Sequence, residues 1–408
     1  MSWMQQLKEK SFIEISLFLT LLFPFVPSKF ASIALIIFTV SSLVTIYKAK
    51  NRQFNSRSLF YFILLISIPL LYFFQLVIAD EPATVWKIVE RKLALIIAPL
   101  SFFLINASTI SLNPITYVRF FYRVTVVFVA YCSIQLLLQG LNHDYLISGG
   151  FAFAFRTTME EISRLHPTYF GLFIAFSILV GLEELIQRWH LLKGSIKGLM
   201  FFSLLFLLLF LLFLAARMAL IGLLISLFLV VHKYIRSWKI KGSIFIISIA
   251  CLISSLFLIP SISSRLKEIN ASSNNGTSIR TTIWACSVQL IQEAPFLGVG
   301  VEQVQSKLNR CYGEKNQYLA NLTSDYNTHN EYLNQWANFG IIGLIALLLL
   351  LVLFYYRSKE SFIFLLFSIL VSLSFLTENL LERQMGIFFV AILGSLFVFN
   401  LPPTTIKK

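Results

Sequence analysis

The 408-residue chain predicts an all-α polytopic membrane protein with about twelve transmembrane helices. Two observations lead there. Hydrophobic residues make up 57% of the chain and charged residues 13%, with 41 phenylalanines, a composition too apolar for a soluble protein. Apolar runs near the roughly 20 residues needed to cross a bilayer also recur along its whole length.

In chain order the spans fall near residues 12–27, 30–47, 58–79, 93–107, 116–140, 168–187, 198–214, 217–232, 243–260, 336–356, 361–377 and 384–400. The first follows Lys8 and Lys10 as a signal peptide would, but eleven further spans mark it as a retained helix. The run from Lys197 to Val231 must be two spans. A helix of that length reaches about 52 Å, against a hydrocarbon core of about 30 Å, and the expected break is Ala215-Ala216-Arg217.

The chain then divides into a bundle of nine spans (1–260), a large outer loop (261–335), and three more spans with a tail (336–408). With a cytoplasmic N-terminus, the inner segments hold 19 of the 33 basic residues against four acids, Glu9, Glu183, Glu184 and Glu360. Basic and acidic residues balance on the outer side. This is the positive-inside pattern, so the net charge of +14 reports topology and not nucleic-acid binding. Cys286 and Cys311 share the outer loop, where a disulfide is permitted; two free thiols satisfy the sequence equally well.

Three signals suggest chemistry. Thr328-His329-Asn330-Glu331 fits a capping box, with Thr328 as N-cap and His329 in the first turn of the tenth span's helix. There an uncharged imidazole, beside N–H groups that attract an anion, can take a proton from a hydroxyl. The plain alternative is a polar helix start at a membrane surface. Arg217 sits between two very apolar runs, where a charge costs about 2.5–3.5 kcal/mol at mid-bilayer unless it snorkels to the headgroups. In TSIRTTIWACSVQLIQEAPFLGVG, Ser278 can cap a helix beginning at Ile279 that carries Arg280 and ends at Pro295. Its Ile279, Ile283 and Leu290 face is equally that of a surface amphipathic helix.

Together these signals fit a site for a dianionic diphosphate, with Arg265 and Lys267 adding positive field. The only aspartates are Asp80, Asp144 and Asp325, so no Asp-x-Asp pair exists to hold a metal. Arginines are then left to neutralise the leaving group.

Arg217 at a span end, Ser278-x-Arg280-x-x-x-Trp284, Pro295-x-x-Gly298-x-Gly300, His329-Asn330 and Gly340-x-x-Gly343 together resemble the O-antigen ligase superfamily. Its members are bacterial inner-membrane glycosyltransferases with about twelve spans and a large periplasmic loop before a late span. His166-Pro167-Thr168-Tyr169 resembles a segment of some members. The strongest likeness covers residues 210–355; Ala216 stands where the family often has serine.

The resemblance implies a glycan donor on undecaprenyl diphosphate, cytoplasmic termini and a periplasmic site. It implies metal-independent, inverting transfer with no cofactor. His329 would activate the acceptor hydroxyl, Arg217 and Arg280 would hold the diphosphate, and Asn330, Ser278 and Trp284 would support them. The acceptor is lipid A-core in ligases, another glycan in polymerases, and protein in other relatives. Outside the enzymes, a flippase or transporter of lipid-linked glycan remains open. It predicts charges spread through several spans, whereas here the polar residues gather in an outer loop.

Overall fold

The computed structural model describes residues 3–108, 110–141, 143–237, 242, 276–315 and 326–402. Every regular element among them is helical. In chain order these are α1 (Trp3–Thr20), α2 (Ser28–Lys48), α3 (Ser56–Ile78), α4 (Pro82–Lys92), α5 (Ala94–Ala107), α6 (Pro114–Gln139), α7 (His143–Ser163), α8 (Pro167–Gln187), α9 (Gly194–Leu214), α10 (Arg217–Tyr234), α11 (Gly276–Glu293), α12 (Val304–Lys315), α13 (Glu331–Ser358), α14 (Phe362–Phe375) and α15 (Gln384–Asn400). The expected span 243–260 lies outside the described residues, as do Arg265, Lys267 and Asp325.

Seven helices, α2, α3, α6, α8, α9, α10 and α13, are long and apolar enough to cross a membrane; α5, α14 and α15 are shorter apolar helices. The first helix departs from expectation and ends at Thr20. Pro24 follows within a 3₁₀ turn and Pro27 precedes α2, and each proline lacks the N–H that a continuing helix needs.

The helices form two units. In the unit of residues 115–275, α8 is the core, buried continuously from Tyr169 to Gly181. The run of apolar residues breaks where the length argument placed it: α9 ends at Leu214, Ala215 turns left-handed (φ 51°) and α10 starts at Arg217. A Cβ on Gly171 of α8 would overlap Ala216, so this glycine lets α8 approach the turn and brings the N-terminal ends of α8 and α10 together. At the other end of α8, Glu183 and Glu184 are buried but paired. Glu184 meets Arg119, Arg123 and Arg188 at 2.9–3.4 Å, and Glu183 meets Lys233 at 3.0 Å.

The unit of residues 1–114 and 276–408 packs α2 against α1 and α5, α3 against α4, α5 and α13, and α13 against α11 and α14. Buried Arg357 closes one end by donating to the carbonyls of Val398, Leu401 and Pro402, acceptors left over where α15 ends. A span was expected over 336–356, but α13 is two helices joined at Gly340, whose φ of 64° and ψ of −156° are not helical. The polar residues Glu331 to Asn338 thus form a short helix of their own ahead of the apolar one.

Candidate active site

The break in α13 is held by the loop that follows α11. The Val299 N–H donates to Ala337 O at 2.8 Å, Gly300 N–H to Asn338 O at 3.1 Å, and Ile341 N–H to Pro295 O at 2.9 Å. The Trp336 indole donates to the same Pro295 carbonyl at 3.1 Å. These bonds satisfy the backbone groups that the break would otherwise orphan. A Cβ at Gly298 would overlap the Asn338 carbonyl, and one at Gly340 the Phe296 carbonyl. The Pro-x-x-Gly-x-Gly and Gly-x-x-Gly motifs are therefore two halves of one backbone clip. Gly340→Ala is expected to cost about 2–3 kcal/mol, read as a lower melting temperature of the purified protein.

The apolar face of α11 rests on neighbouring helices. Ile283, Cys286, Leu290 and Ile291 are buried with Val304, Leu308, Cys311 and Tyr312 of α12 and Ala337 of α13. Cys286 and Cys311 form a disulfide, which resolves the alternative that the sequence left open. It spans 25 residues, for which the chain-entropy relation gives about 3–4 kcal/mol. Cys286→Ser/Cys311→Ser should therefore lower thermal stability by about that much, and reduction should slow the wild-type band on a non-reducing gel.

The structure corrects the capping box. Asn330 is the N-cap of α13, its Oδ1 accepting from Leu333 N–H at 3.1 Å, while its amide donates to Leu376 O at the end of α14. Thr328 is fully buried and exchanges hydrogen bonds of 3.0 and 3.2 Å with Asn379. Glu331, also fully buried, accepts from Gln335 and from Leu381 N–H and does not reach back. His329 consequently stands before the helix, with φ 44°. Few residues other than glycine adopt that conformation, though Asn, Asp and His are enriched there. The Asn327 side chain accepts from His329 N–H at 3.1 Å.

Glu378, 7% exposed, is the group sequence reasoning missed. Its Oε2 lies 3.6 Å from His329 Nδ1 and its Oε1 3.4 Å from Arg280 Nη2. One carboxylate thus links two predicted site residues. The Tyr326 ring stands 5.9 Å from the imidazole. The Trp284 indole N–H is buried with no hydrogen-bond partner among the described residues. Ser278 lies inside α11 (Gly276–Glu293) and not ahead of it. Arg217 belongs to the unit of residues 115–275, where it is exposed at the first position of α10. His166 caps α8 at that same end.

A second polar group was also missed. Lys92, 1% exposed, donates to Leu381 O and to Glu382 Oε1 (2.7 Å) and lies over the Tyr72 ring. The same Oε1 accepts from Tyr72 at 3.1 Å and from Asn334 at 3.0 Å. Burial pushes the Glu382 carboxyl up, but the Lys92 ammonium and these donors outweigh it and hold the carboxyl below its ordinary value. The visible signal is the segment Thr377-Glu378-Asn379-Leu380-Leu381-Glu382-Arg383, two acids and an amide crowded between two apolar spans.

These features define a membrane protein of apolar helices with a histidine, carboxylate and arginine gathered at a helix start. Residues 202–348 match the family model described as O-antigen ligase, the segment that carries Arg217, Arg280 and His329. Over that segment the chain is similar to the O-antigen ligase and polymerase-like membrane glycosyltransferases. No curated protein matches it significantly.

Proposed function

We propose that this protein transfers a glycan from undecaprenyl diphosphate to an acceptor hydroxyl at the periplasmic face of the bacterial inner membrane, with lipid A-core as acceptor. The observation that carries the reading is the Glu378 carboxylate lying between His329 and Arg280. Closing the 3.6 Å gap by about half an ångström would let Nδ1–H donate to Glu378, a tightening common when substrate binds. The imidazole is then oriented with Nε2 free to act as base.

The acceptor oxygen attacks the anomeric carbon as its proton passes to Nε2. The carbon–oxygen bond to the diphosphate breaks, and the lipid diphosphate leaves with the electron pair. Attack opposite the leaving group inverts that carbon. Arg280, 41% exposed at its side chain, has further N–H donors beyond the one facing Glu378, and we assign these to the diphosphate. Arg217 keeps the anion-binding role that the resemblance implies for it: an arginine at a helix N-terminus adds its charge to the dipole's positive end. The disulfide supports an oxidising compartment for the α11–α12 region. The cytoplasmic termini follow from the positive-inside count.

The test uses proteoliposomes with purified undecaprenyl diphosphate glycan, with lipid A-core in one reaction and no added acceptor in the other, each run with and without a chelator. Product formed only with lipid A-core is the expected result. Lengthened donor chains without it would replace ligation with polymerisation, and no product in either would overturn the enzymatic reading. Activity that disappears with the chelator alone would overturn metal independence.

A further inference from the structure

Beside the His329 loop lies a cavity of about 610 Å³, within the range of small-molecule sites. Unlike the lipid-facing surface it is polar, lined among others by Arg91, Asn327, Asn334, Asn338, Glu382 and Arg383. Glu382 Oε1 already takes Lys92, Tyr72 and Asn334, while Oε2 has no donor among the described residues. Asn338 spends its amide N–H groups on Asn334 and keeps its carbonyl oxygen. Asn327 spends its oxygen on His329 N–H and keeps its N–H groups. The wall thus offers both donors and acceptors, which sugar hydroxyls can use in either sense.

The charge is not balanced. Lys92 neutralises Glu382 and Arg91 adds its field to the same carboxylate, so two cations already face one anion; Arg383 makes no ion pair within 4 Å among the described residues. Both arginines are exposed, so they present donors to the cavity at little desolvation cost.

We infer that this cavity is the acceptor-sugar subsite and takes a sugar bearing a carboxylate or phosphate, its hydroxyls on Glu382 and Asn338 and its anion on Arg91 and Arg383. Asn327 connects the cavity to the His329 turn: it lines the wall and its Oδ1 accepts from His329 N–H, and on that link we assign the cavity to the acceptor. The inference rests on the glycan-transfer reading for the word acceptor, but sugar binding is measurable without transfer.

The experiment is saturation-transfer NMR on the full chain in nanodiscs, with glucuronate, glucose 6-phosphate and glucose as probes. One or both anionic sugars should bind at least tenfold more tightly than glucose, and the comparison between them distinguishes carboxylate from phosphate. Arg91→Gln/Arg383→Gln, at exposed positions that leave folding intact, should remove that preference. Glu382→Gln should weaken all three probes.

Equal binding of glucose and the anionic sugars, or a preference that survives loss of both arginines, would overturn the inference. The two readings fail separately. Anionic sugars that bind as described by a protein with no transferase activity would sink only the transfer reading. Transfer by the double-arginine variant with an unchanged acceptor KM would sink only the subsite.

Discussion

Replacing His329 with alanine should lower the initial rate of glycan transfer by about 10³-fold, within the 10²–10⁴ range that a positioned general base supplies. The backbone complicates this variant, because φ at 329 is 44° and alanine adopts that conformation at a cost. His329→Asn separates the two effects. Asparagine tolerates the left-handed conformation but carries no base, so it should keep the wild-type melting temperature and still lose transfer. Transfer near the wild-type rate in His329→Asn would show that the position matters for its turn and not for its imidazole.

Glu378→Gln should lower kcat by about 10²-fold, because an amide no longer fixes the imidazole tautomer that leaves Nε2 as acceptor. The donor should respond in the opposite sense. Glu378 faces Arg280 at 3.4 Å and repels an approaching diphosphate, so removing its charge frees the guanidinium and lowers the donor KM. Loss of kcat with gain of donor affinity is a split that a merely unfolded variant cannot produce. If the two side chains act as one unit, His329→Ala/Glu378→Gln should be no slower than His329→Ala alone. Additive losses would mean that the two work independently.

Much of this architecture is legible in the residues. Hydropathy locates the apolar helices, because a membrane demands long apolar runs with internally satisfied backbones, but it does not locate α4, α7 or α12, which lie outside every apolar run. The helix length limit demands a break within the 197–231 run, and the turn at Ala215 falls inside the Ala215-Ala216-Arg217 segment where it was expected. Arg280 and His329 stand out because charged and titratable groups are rare in so apolar a chain.

What local reading misjudged is how the His329 loop is built. Thr328 through Glu331 satisfies every rule of a capping box, yet the Thr328 hydroxyl donates to Asn330 O and accepts from the Asn379 amide, and the Glu331 carboxylate accepts from Leu381 N–H, these last two partners about fifty residues away. Tertiary partners outcompeted local ones, and Asn330 took over the cap.

Lys92, Glu378 and Glu382 went unnoticed for a related reason. Each reads as an ordinary loop charge, and only packing against the 377–383 segment sorts them into two polar groups, Glu378 with His329 and Arg280 and Glu382 with Lys92. The glycine motifs show the reverse case. Their spacing is visible in the sequence, but that Gly298 and Gly340 face each other emerges only from the backbone hydrogen bonds between the two segments.

The central claim is that the Arg280, Glu378 and His329 cluster joins a lipid-linked glycan to an acceptor. Its most direct test is to count, in proteoliposomes, the undecaprenyl diphosphate released and the glycosylated acceptor formed by wild type, His329→Asn and Glu378→Gln. The account predicts one lipid diphosphate per glycan joined in the wild type and near-complete loss of both products in the two variants. Glycan that crosses the membrane still attached to its lipid, or variants that keep full transfer, would contradict it.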